Sequence, residues 1–315
     1  MKPKVSIIIP VYNGSNFLDQ SIYSALSQTY PNIEVIVVND GSTDMGKTEE
    51  IALSFGERIR YFSKNNGGVA SALNFGIKQM TGDFFSWLSH DDLYSADKIK
   101  KQVSHLSSLP KDSISFCDFE YINEKGVKGS TVRVENYLAD HFKPQLLENN
   151  FLHGCALLIP RTIFDAVGFF NENLMTTNDY DLWFRMADDF RFEYLPEVLV
   201  QSRQHSQQTN RTLSDLHRRE CNTLYIHQMN RLFDDIDIFH LPNVYFAKLA
   251  VKFYKNDFME AATHAYYLYK KLLIQNEKLF LPPFYITRLM LKLYTIKKSL
   301  FRVTISDALK TFPKN

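Results

Sequence analysis

Ser86-Trp87-Leu88-Ser89-His90-Asp91-Asp92-Leu93-Tyr94 is the stretch around which this chain is organised. The apolar run from Phe84 to Leu88 predicts a buried strand, and two adjacent acids stand where it stops. Strands of α/β sheets end this way where a polar ligand sits at the carboxyl edge. Neighbouring carboxylates repel each other unless a positive charge lies close by. A divalent cation, Mg²⁺ or Mn²⁺, answers with a preference for hard oxygen ligands and suits a phosphate-bearing substrate. An Asp pair capping the helix announced by Ser95 and Asp97 accounts for the same residues. On this stretch alone the two readings stand level.

Working outward, Val5 to Val11 is a β-branched run too continuous for an exposed strand and reads as a buried parallel one. A turn at Tyr12-Asn13-Gly14-Ser15 leads to a helix with Phe17, Leu18, Ile22, Ala25 and Leu26 on one face. Ile33 to Val38 predicts a second buried strand, ending in Asn39-Asp40-Gly41-Ser42-Thr43-Asp44. A helix to about Phe55 and a short strand from Ile59 to Phe62 follow. Asn65-Asn66-Gly67-Gly68 then runs into a helix over Val69–Met80, ahead of the central strand. This alternation predicts a doubly wound, mostly parallel sheet whose turns at Tyr12, Asp40 and Asp91 gather on one edge. Further on, Ser113–Ile122, the run after His153-Gly154 and Phe192–Ser202 read as strands, and Asp179–Asp188 as a helix. From Asp215 the pattern is helical.

With 315 residues, 45% hydrophobic, and a net charge of +1, the chain has the composition of an ordinary globular protein and not of a nucleic-acid binder. The charge is unevenly spread. From Ser214 onward there are 16 basic and 9 acidic residues, net +7, against 20 and 26 before it, net −6. An acidic body with a basic tail suggests parts with different partners. Cys117, Cys155 and Cys221 have no CxxC spacing, so neither a zinc site nor a disulfide framework is expected, and a reducing compartment fits. The opening apolar run stops at Asn13-Gly14, too short for a signal peptide, and no window has the length of a spanning helix. A cytoplasmic protein is the expectation.

Singly, the polar motifs have plain structural explanations. Asp40 ahead of Gly41 suits an Asx turn, Gly67-Gly68 matches no phosphate-loop pattern, Asp179 and Asp181 suit a helix start, and His205 a satisfied histidine. Together and in order, Pro10-Val11-Tyr12-Asn13, Asn39 to Asp44, Asn66-Gly67-Gly68, Leu88 to Asp92, Asn178-Asp179-Tyr180-Asp181-Leu182-Trp183 and Arg203-Gln204-His205 resemble the family 2 glycosyltransferases of GT-A fold. The resemblance covers about Lys4 to Gln208, roughly two thirds of the chain.

The resemblance implies an inverting transferase that moves a sugar from a nucleotide-sugar donor, UDP-linked by expectation, to an acceptor hydroxyl. Pro10, Tyr12, Asp40, Gly68, His90 and Asp91 would hold the donor. Asp91 and His205, with Asp92 a weaker candidate, would hold Mn²⁺ or Mg²⁺. Asp179 would be the general base, with Asp181 behind it. His153, Gly154, Tyr180 and Trp183 would line the acceptor side. It further implies a catalytic domain over 1–213, with a nucleotide-sugar part to about 110 and an acceptor part over 111–213. A helical extension over 214–315 follows. Surface glycans or lipid-linked glycans are the expected acceptors.

The chain departs from the family pattern in places. Ser89 and Asn178 stand where acids are usual, and Ala72-Leu73-Asn74 where many members have Ala-Arg-Asn. A catalytically silent nucleotide-sugar binder therefore stays open as an alternative. A sugar nucleotidyltransferase needs a basic glycine-rich loop after the first strand, which Tyr12-Asn13-Gly14-Ser15 does not offer. The Gln-x-x-Arg-Trp sequence of processive synthases is absent, so one sugar per encounter is expected. Residues 279–302 mix aromatic, aliphatic and basic side chains without an acid, which suits either an anionic membrane surface or a packed helix, on this chain or a second subunit.

Overall fold

Seven residues from Val5 to Val11, every one buried, form the strand β1 on which the sheet is built. The computed structural model describes residues 2–134, 137–206, 213–234 and 245–275. They fall into two compact units, Met1–Leu224 and Tyr225–Asn315.

In the first unit β1 is followed by α1 (Leu18–Leu26), β2 (Ile33–Asn39), α2 (Lys47–Leu53), β3 (Arg60–Ser63), α3 (Gly68–Gln79) and β4 (Phe84–Trp87). These four strands pair in parallel in the order β3-β2-β1-β4, as the apolar runs predict. The register sets Val11 opposite Asn39 and Ile8 opposite Trp87. Tyr12, Asp40 and the Ser89–Asp92 turn therefore leave the sheet at one edge. Helix α3 lies close on β1, because Gly76 leaves no room for a side chain: a Cβ there would meet Ile8 Cγ2 at 2.5 Å.

Beyond β4 the sheet becomes mixed. Short strand β5 (Leu93–Tyr94), α4 (Lys98–Ser107), β6 (Ser113–Asn123), β7 (Lys128–Val132), α5 (Phe142–Asn149), β8 (Leu157–Pro160), α6 (Arg161–Val167), α7 (Asn178–Met186) and β9 (Arg191–Gln204) complete it. Strand β8 runs antiparallel to both β4 and β6, and β6 runs parallel to β9. The sheet is thus all parallel in its first half and mixed in its second, where the longest pairing, β6 with β9, is again parallel. The fourteen-residue β9 returns to the carboxyl edge, where it pairs antiparallel with β5, Leu93 against Gln201. That return delivers Ser202, Arg203 and His205 to the Asp91-Asp92 turn.

The turn rests on a buried polar floor. Lys98 is fully buried and donates from Nζ to Ser86 Oγ at 3.1 Å, with Nζ 4.1 Å from the centre of the Tyr94 ring. Burial pushes its ammonium down to about 8. Cys117, Cys155 and Cys221 are all buried thiols.

Helix α8 (Ser214–Asp234) begins in the first unit, and α9 (Tyr245–Lys255) and α10 (Met259–Gln275) belong to the second. There Tyr225 stacks on Phe253 at 4.6 Å, and Phe246, Leu249, Ala250 and Phe253 form the buried stripe of α9. The described residues after Asp215 are mostly helical, as expected. No described helix is long and apolar enough to cross a membrane. Residues 279–302 lie outside the described residues.

Candidate functional site

Asp91 leaves the end of β4 with its carboxylate facing His205, Oδ2 lying 2.8 Å from Nε2. Burial alone would raise the Asp91 carboxyl. The His205 hydrogen bond and the fields of His90 and His205 outweigh it and hold the group below the usual range. The His90 ring packs on Gly14, where a Cβ would meet it at 2.5 Å, and burial lowers its imidazole. Asp91 and His205 make an oxygen–nitrogen donor pair of the kind that suits Mn²⁺ beside water and phosphate oxygens.

The neighbouring Asp92 is in a different state. It is 3% exposed, and burial and the Asp91 charge push it well above the carboxylate range. It accepts from the Arg203 backbone N–H at 2.8 Å and from Cys155 Sγ at 3.4 Å. Asp92, His153 and Cys155 bring three donor atoms within 4.8 Å of one another, a spacing that a metal could use. Hydrogen bonds join the same residues. His153 Nδ1 accepts the Cys155 N–H at 3.2 Å, which puts the ring proton on Nε2, facing Ser202 Oγ at 3.1 Å and Asp92 Oδ2 at 3.7 Å. Burial also raises the Cys155 thiol and lowers His153 to about 4. The three form a hydrogen-bonded cluster beside the Asp91–His205 pair.

Arg203 ties these pieces together and is 1% exposed. Its guanidinium donates to Asp91 O at 2.9 Å, Asn123 O at 3.2 Å, Glu124 O at 3.0 Å and Gln20 Oε1 at 2.9 Å, and stacks 4.4 Å from the Phe17 ring centre. Such a planar fork fixes the Asp91 backbone from a strand more than a hundred residues away.

On the other side of the edge, Tyr12 is 46% exposed. Asn13 adopts φ 50° and locks onto the second turn, accepting from Thr43 N at 2.7 Å and donating to Ser42 Oγ at 2.9 Å. Pro10 is a buried strand residue in register with Val38. Asp40 is 3% exposed, and its carboxylate receives Lys64 Nζ at 2.6 Å, Gly67 N at 3.1 Å and Gly68 N at 2.7 Å. It pins the glycine turn at the start of α3, where Gly68 has φ 86°, a conformation that favours glycine. Lys64 is absent from the sequence motifs, and only its place after β3 reveals it.

Asp179 lies in the first turn of α7. Its Oδ1 accepts the Tyr180 N–H at 2.8 Å, and burial, against that bond, raises its carboxyl to about 6. Asp181 by contrast is paired with Arg185 at 2.9 Å, which leaves Asp179 as the available carboxylate of the two. Tyr180 OH bridges Leu152 O at 3.0 Å and Leu152 N at 3.2 Å, joining α7 to the segment that carries His153.

Two of the residues expected on the acceptor side are buried. Trp183 is fully buried, edge-on to Phe170 at 5.8 Å, because the inner face of an amphipathic helix takes its largest ring. Gly154 is buried under Trp87, where a Cβ would lie 2.5 Å from Cε3. Gly154→Ala is expected to cost about 1–3 kcal/mol through overpacking, read as a lower urea midpoint. An unchanged midpoint would mean that the Trp87 ring has room to move.

The Glycosyl transferase family 2 model matches residues 6–168. A protein of Rickettsia prowazekii (strain Madrid E), named an uncharacterized glycosyltransferase, is 39% identical over 320 residues, 99% of this chain and 97% of that one. One of Rickettsia felis, of the same name, is 48% identical over 239 residues, 74% of this chain. The chain spans 39% of the length of that relative and 39% of its Rickettsia conorii counterpart. Among solved structures, S. aureus TarS 1–349 in complex with UDP-GlcNAc aligns with a TM-score of 0.59 at 17% identity, over 79% of this chain and 71% of that one. This likeness is one of fold.

Proposed function

This chain belongs to glycosyl transferase family 2, and from that premise we propose an inverting, divalent-cation-dependent transfer of one sugar per encounter from a UDP-sugar to a glycan or lipid-linked acceptor. It is a glycosyltransferase of GT-A fold, built to move a sugar from a nucleotide-sugar. The observation that carries the finer reading is the Asp91–His205 pair, 2.8 Å apart at the edge where the Tyr12 and Asp40 turns also emerge.

In this reading Tyr12 offers an exposed ring to the base, and Asp40 and the Gly67-Gly68 amides face the nucleoside. For Asp40 to read the base, Lys64 has to swing off the carboxylate. Asp91 and His205 would hold Mn²⁺ or Mg²⁺, which when bound acts as a Lewis acid on the departing diphosphate. Asp179 takes the proton of the attacking hydroxyl, and His153 and Tyr180 flank the acceptor side. One carboxylate with one displacement gives inversion, whereas double displacement would need a second carboxyl as nucleophile. A domain boundary near 213, a cytoplasmic setting, membrane-surface binding through 279–302 and self-association belong to the same proposal.

The test is incubation with Mn²⁺ and a panel of UDP-, dTDP- and GDP-sugars, following release of nucleoside diphosphate. Turnover of a UDP-sugar that stops with EDTA is the expected result. Thermal stabilisation by UDP without any release would instead identify a silent binder.

A further inference from the structure

The loop Leu174–Thr177 has two tasks at the site. It leads directly into α7 and Asp179, and it lays Met175 over Gly68, whose added Cβ would stand 3.8 Å from the Met175 thioether. Asn178 donates from Nδ2 to Leu174 O at 3.1 Å, and a second hold on this loop comes from outside every sequence motif. Glu220, on α8 and beyond the span matched by the family model, accepts Met175 N at 2.9 Å through Oε1. Through Oε2 it accepts Thr176 N at 2.8 Å, Thr176 Oγ1 at 2.7 Å and Thr177 Oγ1 at 3.2 Å. Thr177 is the N-cap of α7, yet its hydroxyl makes no cap bond and turns outward to Glu220. A side chain that usually closes its own helix is thus spent on a carboxylate 43 residues away.

We infer that Glu220 is a positioning residue for transfer, fixing the loop that aims Asp179 and covers Gly68, so that the first turns of α8 belong to the catalytic unit. The inference rests on Asp179 being the base. A carboxylate with four donors is a strong clamp, since charge-assisted bonds are roughly twice as strong as neutral ones. Removing it leaves the Thr176 and Thr177 hydroxyls and two amides without their acceptor and lets water toward Asp179. A charge on Glu220 also stands before the N-terminus of α7, where the helix dipole favours an anion. The compact first unit ends at Leu224 and therefore includes Glu220.

The test compares wild type, Glu220→Ala and Glu220→Gln in the full chain, with Asp179→Asn alongside. Hydrogen exchange needs no ligand: Glu220→Ala should lose protection over 174–181 while β1 and β2 keep theirs. With the nucleotide sugar that wild type turns over fastest, kcat should fall about 10- to 100-fold with KM for the donor changed less than threefold. The acid limb of the pH–rate profile should move below 6 as Asp179 becomes wetter. Glu220→Gln, which keeps one acceptor oxygen, should recover part of kcat. If Glu220→Ala does not fold, Glu220→Gln together with Thr177→Val carries the same comparison. Unchanged kcat and pH limb, or a drop in melting temperature alone, would overturn the inference. Full activity of Asp179→Asn would overturn the base assignment instead, whatever the Glu220 variants do.

Discussion

Asp179→Asn is expected to slow transfer by about 10²–10⁴-fold, the range that general-base catalysis supplies, while UDP binding stays within a factor of two. The amide keeps the shape and the Tyr180 N–H bond but cannot take a proton. The pH profile follows from the same carboxyl. Burial raises it from 3.8 to about 6, and a base works only when deprotonated. The rate should therefore climb with unit slope up to about pH 6 and level off above. The sign for stability is the reverse. A carboxyl held higher in the folded state than in the unfolded one costs stability when ionised. That cost is absent below pH 3.8, grows between 3.8 and 6, and is full above, at about 2–3 kcal/mol. Asp179→Asn should thus melt higher than wild type at pH 8 and equally at pH 3.5. A variant that is both active and unchanged in melting would remove Asp179 from the chemistry.

The second large effect is on folding. Arg203→Leu should destabilise the first unit by about 3–5 kcal/mol, the usual cost of deleting one member of a buried charged network. Four carbonyl or amide oxygens lose a donor, and the Phe17 ring loses its stacked guanidinium. Urea unfolding followed by far-UV circular dichroism reads it directly. Fluorescence titration with Mn²⁺ should show weaker binding too, because Asp91 loses the bond that fixes its backbone. A cost under about 1 kcal/mol would mean that water replaces the guanidinium freely.

The sequence speaks clearly where one physical demand dominates. Strands β1, β2 and β4 are continuous apolar runs because both faces are covered, and their ends place Tyr12, Asp40 and Asp91 at one edge. The Asp91–His205 pairing was readable because both residues sit in ordered motifs. Other features obey demands that neighbouring residues do not encode. Leu93–Tyr94 is too short to show alternation, and it becomes a strand only because β9 lies beside it. The reversal at β8 is invisible in a run of four buried residues that fits either direction. Trp183 lies on a helix core face, and in sequence an aromatic there looks like one in a functional motif. Lys64 and Glu220 act 24 and at least 43 positions away from their partners, and no local pattern marks such a reach.

The buried thiols give the molecule its own clock. An alkylating reagent meets a thiolate only when the surrounding structure parts, since Cys117 and Cys155 are held protonated and shielded, with Cys117 pushed up to about 12. Cys155 lies between Ser89 and Asp92, so the pace of its labelling counts how often the floor beneath the acids breathes, and Cys117 times the sheet behind it.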